Sequence, residues 1–297
     1  MGSHWDRERT STRIWGRRSE RSVADLLEAE VGRLPSTPVA VIGGLEVFTD
    51  PNQYPVDLTR EEEWKVAVGV HPSRAKELTP EKKGVLRYLV RAPQVAAFGP
   101  VGLDRSGPVE EWGIQTRVFK EMVELIRPEK PVILHIVGTP GDKYAEETYS
   151  YALLKMRDWC PAIQPMVLHS FSGSPEMRRW WSTTFQRCYF GFSGAVQGFD
   201  DVQKMALREV SVDRLLLESN SPHHRVRPGP WVNTPAYLGE VAQIVARVRR
   251  VRIEEMCQAT TLNARQLYYG SRSGGIPDTK EYKHLSPGGC SKRLREQ

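Results

Sequence analysis

Four cysteines occur among the 297 residues, and no two of them form a C-x-x-C pair. This scarcity excludes a disulfide framework, and we expect reduced thiols in an intracellular protein. The chain also lacks an apolar run of about 18 residues, which a membrane-spanning helix requires. Its first residues carry charges from Asp6 onward, where a secretory signal would have an apolar segment. We therefore expect no membrane association and a cytosolic or nuclear location.

The charge balance is modestly basic. Lysine and arginine total 42 and aspartate and glutamate 36, which gives a formal net charge of +6. Such a surface favours anionic partners, nucleic acid included, but it is equally compatible with an ordinary basic soluble protein. The charge alone therefore does not select a function.

Short apolar runs alternate with longer amphipathic stretches. Continuous apolar runs suit strands of a parallel sheet covered on both faces. The runs are Pro38–Ile42, Trp64–Val70, Val95–Phe98, Val132–Leu134, Met166–Leu168, Cys188–Phe192 and Leu215–Leu217. Helical spacing is found over Ser22–Leu34, Lys82–Val90, Glu111–Ile126, Ala145–Met156, Pro175–Thr184, Asp200–Glu209 and Asn233–Val248. This alternation predicts an α/β fold, most simply a (β/α)₈ TIM barrel.

Seven candidate strands leave the eighth for the start of the chain, near Met1–Ser3, so the first strand is expected to be short or missing. A doubly wound open sheet remains the structural alternative, although no G-x-G-x-x-G follows the first predicted strand. We expect one barrel domain over residues 1–270. The basic tail over residues 271–297 shows no periodicity and is expected to be disordered.

Histidines stand where several of the apolar runs end. His71, His135 and His169 each follow a different predicted strand. The strand C-termini of a barrel open on one face, which hosts the active site. Three imidazoles on that face would converge, and neutral imidazole is a good ligand for zinc and similar ions. A single such histidine is more often structural, but three at equivalent positions favour a metal site.

The segments around these histidines resemble the TatD family of metal-dependent deoxyribonucleases. Several short motifs are similar to those of the family and occur in its order. They are Gly69–Pro72 (G-x-H-P), Phe98–Asp104 (G-E-x-G-L-D), Pro131–His135 (P-V-x-x-H), Leu168–Gly173 (H-x-F-S-G), Leu215–Pro222 (L-L-x-E-T-D-x-P) and Thr260–Tyr268 (N-x-x-x-L-F). The resemblance implies a TIM barrel with paired metal ions at its mouth.

The same resemblance implies roles for individual residues. His4 and Asp6 take the positions of the family's N-terminal ligands, and His135 and His169 are further metal ligands. Asn220 stands where the family has an aspartate that serves as ligand and base. His71 is expected to contact a phosphate of the substrate in the family's manner. Asp104 is expected to contact substrate on other grounds, since it follows a predicted strand and could line the mouth; the alternative is an ordinary loop residue.

Two positions depart from the family. Pro100 replaces the glutamate that bridges the two ions, and Asn220 offers an amide that cannot act as a base near neutral pH. Glu218 lies two residues before Asn220, and strand alternation would point both side chains the same way, so Glu218 could replace part of the lost charge. We expect one weakly bound divalent ion (zinc, magnesium or manganese) or none.

Three functions remain open on these grounds. The first is a metal-dependent hydrolase that cleaves DNA phosphodiester bonds, as a DNase or 3′–5′ exonuclease on single strands or ends. The second is a catalytically inactive barrel that binds a ligand or a protein. The third is a one-metal, amidohydrolase-type enzyme acting on a small substrate. Neither the substrate nor the oligomeric state follows from the sequence.

Overall fold

A computed structural model of the chain describes residues 35–60, 63–223, 226 and 233–270. The predicted ligands His4 and Asp6, the predicted strand at Met1–Ser3, the helix at Ser22–Leu34 and the tail at 271–297 lie outside these residues. Within them, no helix combines the length and the apolarity that crossing a membrane requires.

Seven strands form one parallel sheet in the described part of the chain, and their order in the sheet is their order in the sequence. They are β1 (Gly44–Phe48), β2 (Trp64–Val68), β3 (Val95–Asp104), β4 (Val132–Val137), β5 (Met166–His169), β6 (Cys188–Phe192) and β7 (Leu215–Leu217). Sequential parallel pairing is the connectivity of a (β/α)₈ barrel. In the described residues, helices connect the strands from β2 onward, whereas the connection from β1 to β2 contains none.

The crossovers carry α-helices and short 3₁₀ turns. The helices are α1 (Pro80–Leu89), α2 (Val109–Val123), α3 (Glu146–Trp159), α4 (Pro175–Thr184), α5 (Asp201–Glu209), α6 (Leu238–Arg249) and α7 (Ile253–Tyr268), and the 3₁₀ turns are Pro72–Glu77, Gly194–Gly198, Val212–Arg214 and Pro235–Tyr237. The local sequence determines where several of these helices begin. Ser174 caps α4 with Pro175 in its first turn, and Asp200 forms a capping box with Gln203 at α5. Each cap contributes about 1 kcal/mol.

Alternating side chains of the strands supply two apolar clusters. The smaller one contains residues from successive strands, among them Ala67, Ile133, Val167 and Tyr189, together with Leu267 of α7. The larger one contains the other strand residues and the inward faces of the helices. One cluster therefore fills the inside of the curved sheet and the other joins the sheet to its helices.

The first predicted strand is misplaced. Pro38–Ile42 has no strand structure, and β1 begins six residues later, at Gly44. Val39 instead lies near Gly239 at the start of α6, since a Cβ on that glycine would meet Val39 Cγ1 at 2.9 Å. Pro38 lacks an amide hydrogen, which disfavours a ladder position. Val39 therefore lies against a helix, whereas Pro38 and Ala40 of the same run are exposed.

Candidate functional site

Polar side chains follow the apolar parts of five strands and meet at one edge of the sheet. His135 of β4 is the register partner of Gly102 in β3 and of His169 in β5. Asp104 is the last residue of β3, and Glu218 directly follows β7. The carboxyl ends of the strands therefore gather these groups in the mouth of the barrel, where active sites of this fold lie.

Glycines leave the room that these side chains occupy. At Gly191, a Cβ would lie 1.8 Å from Glu218 Oε1, well inside contact distance. At Gly102, which has φ of +148°, a Cβ would lie 2.1 Å from the carbonyl oxygen of His135. Neither position can therefore carry a side chain. Glu218 occupies the space beside Gly191, and Gly102 allows β3 to pair closely with β4.

Three potential metal ligands form a group on the β2–β4 side of the mouth. His71, Asp104 and His135 each offer one ligand atom, and these atoms all lie within 4.8 Å of one another. The rings of His71 and His135 meet edge to face with centroids 4.3 Å apart. His135 Nε2 lies 3.6 Å from Asp104 Oδ2, which is too long for a hydrogen bond. We call these three residues the triad.

The second polar atoms of His71 and Asp104 are already paired. His71 Nδ1 lies 2.8 Å from the hydroxyl of Ser73 and 3.3 Å from its backbone nitrogen. Asp104 Oδ1 accepts hydrogen bonds from the backbone N–H and the hydroxyl of Ser106. His135 Nε2, in contrast, is buried and has no hydrogen-bond partner among the described residues. A buried nitrogen without a partner is costly in a finished protein and points to a missing bonded group.

Electrostatics favour the ligand forms of two triad members. Burial, reinforced by the neighbouring His135, lowers the pKa of His71 to about 3, so this imidazole is neutral at physiological pH. Burial alone would raise the pKa of Asp104, but its contacts with His135 and Ser106 outweigh burial and lower that pKa below its usual range. The triad therefore presents a neutral imidazole and a carboxylate, both of which can bind a cation.

A second group lies on the β5–β7 side of the mouth. His169 Nδ1 and Glu218 Oε2 are 2.9 Å apart, and the two side chains are 18% and 16% exposed. The backbone N–H of Ser170 donates to the same carboxylate oxygen at 2.9 Å. Burial alone would lower the pKa of His169, but the charge of Glu218 and hydrogen bonds to Glu218 and Asn220 raise it. We call His169 and Glu218 the ion pair.

Asn220 reaches this second group through a turn. Its φ is +48°, in the left-handed region that asparagine tolerates better than most residues. Its amide donates to Ser170 Oγ at 3.1 Å, and that hydroxyl lies 2.9 Å from Ser193 Oγ. The side chain of Asn220 is thus committed to the hydrogen bonds around the ion pair.

These positions revise the expected relation of Glu218 to Asn220. Strand alternation was expected to align them, but β7 ends at Leu217 and the positive φ of Asn220 breaks the alternation. Both still contact Ser170, because the turn brings them back together. The proximity was foreseen for the wrong reason.

The expected histidine convergence is present in the described residues. The rings of His135 and His169 have centroids 6.1 Å apart and planes inclined by 32°. The sequence predicted that His71 would converge with these two histidines, and its ring lies against that of His135. The approach of Asp104 to His135 was not predicted, because the expected strand ended at Phe98 and β3 continues to Asp104. The roles of His71 and Asp104 in substrate binding or metal binding remain predictions.

The TatD-related DNase family matches residues 35–269 of this chain. The chain belongs to the TatD-related DNase family. A TatD relative, the 3′–5′ ssDNA/RNA exonuclease TatD of Erwinia tasmaniensis, is 31% identical over 216 residues, which cover 69% of this chain and 78% of the relative. An uncharacterized metal-dependent hydrolase of Bacillus subtilis is 28% identical over 208 residues, which cover 68% of this chain and 76% of that protein.

Solved structures show that the fold is the TatD barrel. A TatD homologue from Escherichia coli aligns with a TM-score of 0.67 at 20% identity, over 77% of this chain and 87% of the other. A TatD family hydrolase from Entamoeba histolytica aligns with a TM-score of 0.63 at 15% identity, over 76% and 84%. The expected TIM-barrel class is therefore confirmed.

The paired ions that the TatD resemblance implies do not fit the described residues. Pro100, at the position of the bridging glutamate, lies in an irregular part of β3 between Phe98 and Val101 and has no ligand atom in its side chain. Asn220 provides an amide in place of the aspartate. A single divalent ion, in contrast, fits the triad, whose members supply two imidazoles and a carboxylate.

Proposed function

We propose that this protein is a metal-dependent hydrolase that cleaves phosphodiester bonds of nucleic acid, with single-stranded DNA or DNA ends as substrate. The observation that carries the proposal is the convergence of metal-ligand side chains in the mouth of a TatD-family barrel. The curated relative from Erwinia tasmaniensis, a 3′–5′ ssDNA/RNA exonuclease, supports this substrate class and extends it to RNA. The net charge of +6 is consistent with an anionic substrate.

A divalent ion, when bound, supplies positive charge that polarises the phosphodiester and acidifies a water molecule. Burial alone would lower the pKa of His169, but Glu218 raises it and so favours the protonated imidazole, although the pair as a whole adds no net charge. A protonated imidazole can donate its proton to the oxygen that leaves phosphorus. Asn220 cannot accept a proton as the family's aspartate would.

A nuclease assay on labelled single-stranded DNA and RNA tests the proposal. We expect cleavage with magnesium, manganese or zinc, its loss in EDTA, and its loss in His135→Asn. The matched control is Asp158→Asn, an exposed carboxylate at the end of α3. Cleavage that persists in EDTA, or in His135→Asn, would contradict metal-dependent hydrolysis in the mouth.

The second candidate is a catalytically inactive barrel that binds a ligand or a protein. Pro100 and Asn220 favour it, because each removes a carboxylate that the family uses. Under this alternative no metal supports cleavage by the unmodified chain. Regained activity in the double variant Pro100→Glu with Asn220→Asp would then show a competent scaffold that has lost its chemistry.

An intracellular location, cytosolic or nuclear, is part of the proposal. Cys160, Cys188 and Cys257 are free thiols in the described residues. Free thiols in that number suit a reducing compartment. Alkylation of the native protein purified from its source under non-reducing conditions should find these three thiols unpaired.

A further inference from the structure

The triad is the one group of three histidine, cysteine or carboxylate side chains, among the residues described, whose ligand atoms approach to within 4.8 Å. Ligands of a zinc ion lie about 2.0–2.2 Å from it, so at tetrahedral angles two ligand atoms are about 3.3–3.6 Å apart. The triad atoms, all within 4.8 Å of one another, therefore need to approach by at most about 1.5 Å to share an ion.

Each triad member keeps one atom for an ion. His71 Nδ1 has two contacts with Ser73: it accepts from the backbone N–H at 3.3 Å, and it lies 2.8 Å from the hydroxyl. Ion binding at Nε2 requires the tautomer in which Nδ1 donates to the hydroxyl, at the shorter of these distances, and gives up the 3.3 Å bond. Asp104 Oδ1 is occupied by Ser106, which leaves Oδ2, and Oδ2 is the atom nearest to the unpartnered Nε2 of His135. A histidine or carboxylate whose second atom is held by a hydrogen bond is the usual preparation of a metal ligand.

His169 differs from the triad in one respect. Its Nδ1 is held by Glu218 at 2.9 Å, as in a prepared ligand, but its side chain also forms a hydrogen bond with Asn220. Ligation by His169 would require Asn220 to give up one of the hydrogen bonds that hold it. The described residues of the family's site thus offer His135 alone as a ready ligand.

We infer that this barrel holds a single divalent ion, of the zinc, manganese or iron(II) class, at His71, Asp104 and His135, displaced toward β2 and β3 from the position used by its family. Two imidazoles and one carboxylate leave further coordination positions for water and a substrate oxygen, as in catalytic sites with three protein ligands. This site needs neither a carboxylate at Pro100 nor one at Asn220, which accounts for the loss of both. A catalytic role for this ion rests on the proposed function, whereas the presence of the ion does not.

Metal binding tests the inference independently of catalysis. The full-length protein, stripped with EDTA and dialysed, is titrated with Co²⁺ and with Zn²⁺ by visible absorption and calorimetry. We expect one tight equivalent. His71→Gln and Asp104→Asn should each weaken it by more than about 100-fold, since even outer-shell changes cost 10–100-fold. His169→Gln should leave the affinity within about threefold.

The reverse pattern, with loss in His169→Gln and binding intact in His71→Gln and Asp104→Asn, would overturn the inference. Two tight equivalents would also overturn it, and so would none. Circular dichroism of each variant first establishes that it is folded.

A measurement on the unmodified chain tests the site even if one of the variants does not fold. Histidine modification by diethylpyrocarbonate, mapped by mass spectrometry with and without Zn²⁺, should show zinc-dependent protection of His71. Equal modification of His71 with and without zinc would contradict the site.

The nuclease assay separates the two claims. A triad ion without cleavage under any metal would sustain the inference and refute the proposed function. Cleavage whose metal requirement is unaffected in His71→Gln would do the opposite.

Discussion

Replacement of Gly191 by alanine tests how tightly the mouth of the barrel is built. A Cβ at this position would lie 1.8 Å from Glu218 Oε1 and 2.4 Å from Cδ. The carboxylate ends a flexible side chain, but it accepts hydrogen bonds from His169 and from the backbone of Ser170. The methyl group can therefore be accommodated only if Glu218 leaves these partners.

The magnitude follows from the two costs involved. Overpacking costs about 1–3 kcal/mol, and separating a buried ion pair costs about 3–5 kcal/mol. Because Glu218 is 16% exposed, water recovers part of the second cost, and we expect Gly191→Ala to lower the free energy of unfolding by about 3 kcal/mol. For a domain of this size, that change lowers Tm by roughly 6–12 °C.

Urea unfolding and thermal melts of EDTA-treated protein provide the assay. The matched control is Gly84→Ala in α1, where a Cβ would meet nothing within 4 Å. That variant should be stabilised by about 0.5–1 kcal/mol. In a Glu218→Ala background the clash disappears, so Gly191→Ala should then cost less than about 1 kcal/mol. An equal cost in both backgrounds would refute the argument that the methyl group acts through Glu218.

The remaining predictions concern pH, capping and the core. In metal-free protein the ion pair stabilises fully between pH 4.5 and 6.5, the ordinary pKa values of its two members. Its contribution is lost on acidification as Glu218 protonates through its lowered pKa, and on alkalinisation as His169 deprotonates through its raised pKa. The stability difference between the native chain and Glu218→Gln, measured by urea unfolding, should therefore peak in that window, and a flat difference would exclude the ion pair. Asp200→Ala removes the α5 capping box and should cost about 1 kcal/mol in the same assay, whereas no change would mean that the cap contributes nothing. Ile133→Ala, inside the sheet, should cost about 2–5 kcal/mol by chemical denaturation, and a cost under 1 kcal/mol would mean that this cluster is loosely packed.

Much of the fold was predictable because apolar runs and helical spacing respond to burial. Six of the seven predicted strands overlap β2–β7, and the parallel order follows from their alternation with helices. The exception, Pro38–Ile42, forms no strand, and Pro38 and Ala40 are exposed. A short apolar run alone therefore does not establish a strand.

The extent of β3 was not predictable from the sequence. The expected strand ended at Phe98, because Gly99 and Pro100 are typical of a strand end. In the structure the pairing with β4 shifts register between Phe98 and Val101 and then continues to Asp104. This continuation can be seen only from the pairing with β4, because the residues of β3 alone do not indicate a shift in register or the strand that pairs with them.

The candidate site, like the fold, was predictable only in part. The convergence of His135 and His169 follows from their equivalent places on adjacent strands, which set their register partnership. The triad depends instead on where the continued β3 delivers Asp104, and so it could not be assembled from motif spacing. The ligands His4 and Asp6 remain predictions, because they lie outside the described residues.

The most direct test of the account is a crystal structure of the zinc-loaded protein with anomalous data collected on both sides of the zinc edge. We expect one zinc peak, about 2.0–2.2 Å from nitrogen atoms of His71 and His135 and from an oxygen of Asp104. A peak bonded to His169 and Asn220 instead, or two peaks in the mouth, would contradict the displaced one-ion site.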